Sequence, residues 1–308
     1  MGISNFQYPI SSPISNIQYP ISSPISNIQY PVSSIQNPVS SIMKDKQNEF
    51  YSSISKYYAE IFPFQPVQLQ FVKSRAGELT RKKVLDIGCA TGELAFQLAK
   101  DGAIVTGIDL NEDLLKQAQG CSGFRTADTS EHELEPDKNR VATPNPKFQK
   151  GNMLELKTDF QSGQFDAVLC FGNTMVHLQS PALVQQMLDG VFAVLKPGGH
   201  FLLQILNYDF ILDEPVTELP VIDTENIRFT RKYRFPESGS LISFQTELLI
   251  KSENKNIENE TPLLALRSHQ LTGLLENTGF SEIEYFSNFK QEPFGGKHLP
   301  LVVSCRRN

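Results

Sequence analysis

From Lys83 onward the chain alternates short apolar runs with stretches of helical period. The apolar runs are Lys83 to Gly88, Ala103 to Asp109, Lys147 to Gly151, Phe165 to Phe171 and His200 to Leu206. Gly92 to Asp101, Glu112 to Gln119 and Pro181 to Leu195 lie between most of them and repeat their apolar residues every three or four positions. Strands apolar on both faces, separated by crossover helices, predict a mainly parallel sheet covered on both sides, the doubly wound α/β class. A helix near His269 to Thr278, a stop at Gly279, and strands Ser281 to Phe289 and Leu299 to Cys305 close the pattern.

Two insertions break the rhythm. Residues 122–146 are polar, carry an acidic cluster and the sequence TPNP, and read as a mobile loop before the third strand. Residues 208–266 alternate with period two and predict a small antiparallel lid. Within it, Ile227, Phe229, Arg231, Tyr233 and Phe235 share one strand face, on which Arg231 is the odd residue. Upstream, Asn48 to Phe71 is helical in pattern and rich in aromatic residues, with a break at Pro63 and Pro66.

Residues 1–42 are a decaying repeat of ISNIQYPISSP without a single charged residue. Prolines recur too often for a helix, so this reads as a disordered or polyproline-like tail, with an interaction tail as the functional alternative. Met43 opens ordinarily charged sequence and reads as an alternative start, which leaves 43–308 as the folded domain.

Composition narrows the partners. With 308 residues, 40% of them hydrophobic, there is material for a sizeable core. A net charge of -6 disfavours a nucleic-acid partner, which usually demands a basic footprint. The cysteines are scattered without a C-x-x-C pair, which suggests reduced thiols, a cytoplasmic location and no metal site. No apolar stretch has membrane-spanning length, so no membrane partner is expected.

The chemistry concentrates at VLDIGCATGELAFQLAK, where an apolar strand runs through a glycine turn into a helix. Small residues at Gly88, Cys89, Ala90 and Gly92 let backbone approach a ligand, and the helix start offers free N–H groups. The spacing G-x-x-x-G departs from the G-x-G-x-x-G of dinucleotide sites. The next strand ends at Asp109, where a carboxylate can accept two ribose hydroxyls.

These residues resemble the class I S-adenosylmethionine-dependent methyltransferases. VLDIGCATG is similar to their first motif and GIDL to their acidic second. KGNMLEL, FDAVLCFGNTMVHL and LKPGGHFLLQILNY resemble the segments around strands three, four and five. The resemblance implies a seven-stranded sheet, S-adenosylmethionine as cofactor and a small-molecule acceptor. It implies further that Asp86 and the Gly88–Gly92 loop face the methionine part, that Asp109 and Leu110 hold the ribose, and that Asn152 and Met153 meet the adenine. Asn152 stands where many relatives have Asp, and its amide can still bond the exocyclic amine. Phe171, Gly172 and Asn173 are expected along the donor.

The sulfonium donor needs alignment more than a triad. His177, just beyond the fourth strand, is the candidate base, with packing as its bland alternative. Arg231 is the candidate for an anionic acceptor group, against an ordinary ion pair. NYDFIL has a short likeness to glycine N-methyltransferases, which makes Asn207 and Tyr208 acceptor-side candidates. Tyr57 and Tyr58 could cover the cofactor, and Tyr57 is assigned to that site. The fourth-strand exit lacks the N-P-P-Y or D-P-P-Y of enzymes that methylate nucleobase amines. An NAD-dependent oxidoreductase and a non-catalytic donor-binding regulator remain as alternatives, and oligomeric state is open.

Overall fold

The computed structural model describes residues 47–124, 145–237 and 239–308. The repeat at 1–42 and most of the loop expected at 122–146 lie outside them. Strands are numbered β1 to β11 along the described chain.

A seven-stranded sheet forms the centre, in the order β10, β11, β5, β4, β1, β2, β3. Its members are β1 (Lys83–Ile87), β2 (Ile104–Asp109), β3 (Lys147–Lys150), β4 (Phe165–Cys170), β5 (Leu195–Leu206), β10 (Phe280–Phe286) and β11 (Pro300–Arg307). Only β11 runs antiparallel to its neighbours. Position in the sheet is written in the burial of each strand. Central β1 is buried from Val84 to Ile87, whereas edge strand β3 buries Phe148 alone. The apolar helix Pro181–Val194 covers one face and Glu93–Lys100 the other, and they belong to two separate apolar cores.

The insertion folds as a second sheet, β6 (Ile222–Asp223), β7 (Ile227–Arg234), β8 (Leu241–Ile250) and β9 (Lys255–Leu264), antiparallel throughout. Its inner face packs partly on the central domain and partly on the helical segment at 47–61. That second contact is a third core: Phe50, Ile54 and Ile61 against Ile227, Phe229, Leu248 and Ile250. Glu60 ties the same elements together by accepting from Thr224 and Asn226.

Three elements differ from the sequence expectation. The lid does not begin as a strand, because Tyr208–Asp213 is a helix capped by the Asn207 side chain, which accepts from the Phe210 N–H. Pro66 does not break a helix but opens Pro66–Ala76 from its first turn, where its missing N–H costs nothing. Strand β5 starts at Leu195 and carries the Pro-Gly-Gly sequence within it.

Candidate functional site

The glycine turn follows β1 directly, and two of its glycines are dictated by contacts. Gly88 has φ of +73°, and a Cβ there would lie 2.7 Å from the Thr174 side chain, so the exits of β1 and β4 touch at this point. Gly92, the N-cap of Glu93–Lys100, has φ of +77° and would place a Cβ 2.4 Å from the Phe148 ring. Gly92 therefore seats the helix start on β3 and lines neither of the two chambers described below.

Asp109 ends β2 with each carboxylate oxygen on a backbone amide. Oδ2 accepts from Ala90 N–H at 3.0 Å and Oδ1 from Asn111 N–H at 2.8 Å. Each oxygen keeps a free lone pair for a ligand hydroxyl. Burial raises the Asp109 pKa, and these amide bonds oppose the rise. Asp86, the penultimate residue of β1, is only 5% exposed. Burial first, and then the charge of Asp109, push its carboxyl up to about 7. Two carboxylates at adjacent strand ends make this a site that favours a cationic ligand.

Two cavities open at the carboxyl ends of β1, β2 and β4. The smaller, of about 280 Å³, is lined by Tyr51, Asp109, Leu110, Asn152, Met153 and His177, among others. The larger, of about 570 Å³, is lined by Asp86, Cys89, Ala90, Phe171, Gln204 and Arg231, among others. Tyr58, Gly88 and Gly172 line both, so the chambers meet at the glycine turn under one tyrosine.

The helical segment at 47–61 roofs the smaller chamber. Asn111 Nδ2 holds it, with Asn48 O at 3.0 Å, Asn48 Oδ1 at 2.8 Å and Ser52 Oγ at 3.0 Å. Tyr51 reaches across to His177, with its hydroxyl 3.4 Å from Nε2. Burial lowers the His177 pKa to about 4, and among the described residues Nδ1 has no partner. So weak a base suits proton removal from an amine or hydroxyl near neutral pH poorly. His177 also stands on the smaller chamber, with Asp109, and not on the chamber of Arg231. At this position the structure shows a contact with the helical roof, through the Tyr51 hydroxyl.

Four further expectations are relocated. Asn173 lines neither chamber: its Oδ1 accepts from Leu206 N–H at 2.9 Å and its Nδ2 donates to the Tyr208 hydroxyl at 3.3 Å. Tyr208 is fully buried, and Asn207 is consumed as a helix cap that also donates to His298 O. Neither reaches a chamber, because the helix they start turns their side chains into the core. Tyr57 lies outside both chambers, while Tyr51 and Tyr58 line them. Residues 51 and 58 are seven apart, two helical turns on one face, and that spacing was the signal that separated them from Tyr57.

Arg231 lines the larger chamber from the lid. Its guanidinium donates to Pro220 O at 2.7 Å and stacks near Phe229 at 5.7 Å. Among the described residues Nε is buried without a partner, and only Pro220 O accepts from the guanidinium, through Nη2. Gln204, also unforeseen, accepts from the Gly172 N–H at 2.8 Å and fixes the turn where the chambers join.

Comparison with known proteins adds a family. The family model for the methyltransferase domain matches residues 79–233. A ubiquinone biosynthesis O-methyltransferase of Acinetobacter baylyi is 31% identical over 150 residues, 49% of this chain and 54% of that protein. Another of that name, from Histophilus somni, is 30% identical over 153 residues, 50% of this chain and 57% of the other. The chain thus spans about half the length of the curated relatives it matches. Among solved structures, the CcbJ methyltransferase of Streptomyces caelestis superposes with a TM-score of 0.67 at 19% identity, covering 84% of this chain and 97% of that one. A Clostridium acetobutylicum S-adenosylmethionine-dependent methyltransferase gives 0.66 at 14% identity, covering 83% and 98%. At these identities the structures speak to the fold.

Proposed function

The chain belongs to the class I S-adenosylmethionine-dependent methyltransferases, and from that premise we propose that it transfers the methyl group of S-adenosylmethionine to a nitrogen or oxygen of a small, anionic acceptor. Residues present at the site suit the donor. Asp109 has lone pairs left for two ribose hydroxyls, Asn152 and Met153 border the smaller chamber for the adenine, and Asp86 faces the larger chamber where a methionine ammonium would go. Bound there, the donor supplies an electrophilic methyl that needs only an aligned nucleophile. The protein's share of the work is alignment and exclusion of water. Tyr58 spans the junction of the chambers, and its ring face suits a sulfonium.

The observation that carries the acceptor class is Arg231. A half-buried guanidinium that makes no ion pair among the described residues, on the wall of the chamber that extends beyond the glycine turn, is suited to receive an anion. Arg231→Ala raises the acceptor KM by roughly tenfold or more and leaves S-adenosylhomocysteine affinity unchanged. Equal acceptor KM in the two proteins would refute the role of Arg231. Thermal protection by S-adenosylhomocysteine and not by NAD separates this reading from a nicotinamide oxidoreductase. Label passing from donor to a small molecule separates it from a non-catalytic donor-binding protein.

A further inference from the structure

Among the described residues four large apolar side chains are exposed, and two of them line a chamber. Leu110 lines the smaller one, where the donor's nucleoside would cover it. Phe62, 39% exposed, lines the larger one, just past the roof segment at 47–61. Its ring lies 5.1 Å from that of Tyr58 and edge-on to Phe229 at 6.0 Å. The Arg231 guanidinium lies 5.7 Å from the same Phe229 ring. An open phenyl ring and a cation without an ion pair among the described residues thus meet at one aromatic residue and face one chamber.

Other walls of the chamber continue in kind. Phe64 beside the roof, Phe171 at the exit of β4 and Phe289 in the loop after β10 line it too. Phe171 and Phe289 meet edge to face at 4.9 Å, and Phe71 backs them at 6.5 and 5.7 Å. That packing holds both rings in place at the chamber wall. Phe64 is half-buried and makes no ring contact among the described residues. Covering apolar surface is favourable in proportion to its area, and a planar ring can meet phenylalanines edge to face on several sides. The charges single out Arg231. Asp86 and Glu93 stand at the donor turn, and Lys290 and Glu292 are exposed on one loop with opposite signs.

We infer that the acceptor is a small aromatic anion, its oxyanion on Arg231 and its ring among Phe62, Phe64, Phe171 and Phe289. The inference rests on the methyl-transfer reading above and narrows its acceptor. Carboxylate and phosphate satisfy the guanidinium equally. A sugar acid carries the same charge but sets its hydroxyls against phenyl rings that offer them no strong partner, whereas an uncharged phenol fills the walls and leaves the guanidinium unpaired.

The test uses the full chain saturated with S-adenosylhomocysteine and titrated calorimetrically with 4-hydroxybenzoate, 4-hydroxyphenylacetate and phenyl phosphate, against D-glucuronate and phenol. At least one aromatic anion binds, roughly tenfold or more tightly than glucuronate or phenol, and the one that binds best identifies the oxyanion. Phe62→Ser weakens that binding roughly tenfold. Phe64→Ser weakens it likewise, from a side chain without ring contacts among the described residues, and carries the test if Phe62→Ser does not fold. Three results overturn the inference: no aromatic anion binds at millimolar concentration, glucuronate or phenol binds as tightly as the best of them, or both serine variants keep wild-type affinity. An equal loss of S-adenosylhomocysteine affinity in both variants does so too, by showing the rings to shape the roof and not the acceptor's seat. Failure of S-adenosylhomocysteine to bind the wild-type chain overturns the donor reading itself and is seen before any acceptor is added.

Discussion

Asp86 and Asp109 sit at neighbouring strand ends, and burial together with the charge of Asp109 makes ionisation of Asp86 more costly. For Asp86 the folded pKa of about 7 lies above its ordinary 3.8, so its neutral form stabilises the free protein. That contribution is fully present below the ordinary value and is lost as pH rises through about 7. Chemical denaturation of the free protein across this range accordingly shows stability falling, and Asp86→Asn flattens the fall. The donor side has the opposite slope, since an ionised Asp86 attracts a cationic ammonium. Affinity for S-adenosylhomocysteine rises through the same pH window, and in Asp86→Asn it is weaker and flat. Both carboxylates were legible in the sequence, because a strand-end acid beside a glycine turn is a local pattern. Tyr51 and Gln204 were not. What makes each of them part of the site is a neighbour more than thirty residues away, which a single sequence does not display.

Elements give a second kind of prediction. The helical segment at 47–61 is tied over the smaller chamber by one side-chain nitrogen, Asn111 Nδ2. Asn111→Leu fills similar space without the bonds. Hydrogen exchange at 47–54 speeds up in this variant, and S-adenosylhomocysteine dissociates faster, by roughly tenfold. Gly92→Ala acts on the other side of the turn. Its Cβ would strike the Phe148 ring at a positive φ, so the variant loses roughly 1–3 kcal/mol in denaturant unfolding. Element types followed from period: continuous apolar runs for β1 and β4, alternation for β7 and β8. Boundaries failed where local chemistry outweighed period. Asn207 followed by Tyr208 and Asp209 is a helix start, with an N-cap and an acid in the first turn, and reading alternation onward from Tyr208 hid it.

At the scale of the whole molecule, strand order and the lid agree with the alternating pattern, because each crossover helix leaves its strand only one side to return on. Residues 1–42 lie outside the described residues, and every residue assigned above to the donor site lies downstream of them. Deleting them leaves S-adenosylhomocysteine affinity and methyl transfer at full-length values. A loss of either assigns the repeat a part in the reaction. Among the described residues no helix is long and apolar enough to cross a membrane.

The third core deserves one further consequence. It joins Phe50, Ile54 and Ile61 to Ile227, Phe229, Leu248 and Ile250 and includes no residue of the seven-stranded sheet. Tyr51 and Tyr58, which line the chambers, pack against this core beside the strand that carries Arg231, so re-packing it shifts the donor's roof and the wall of the larger chamber together.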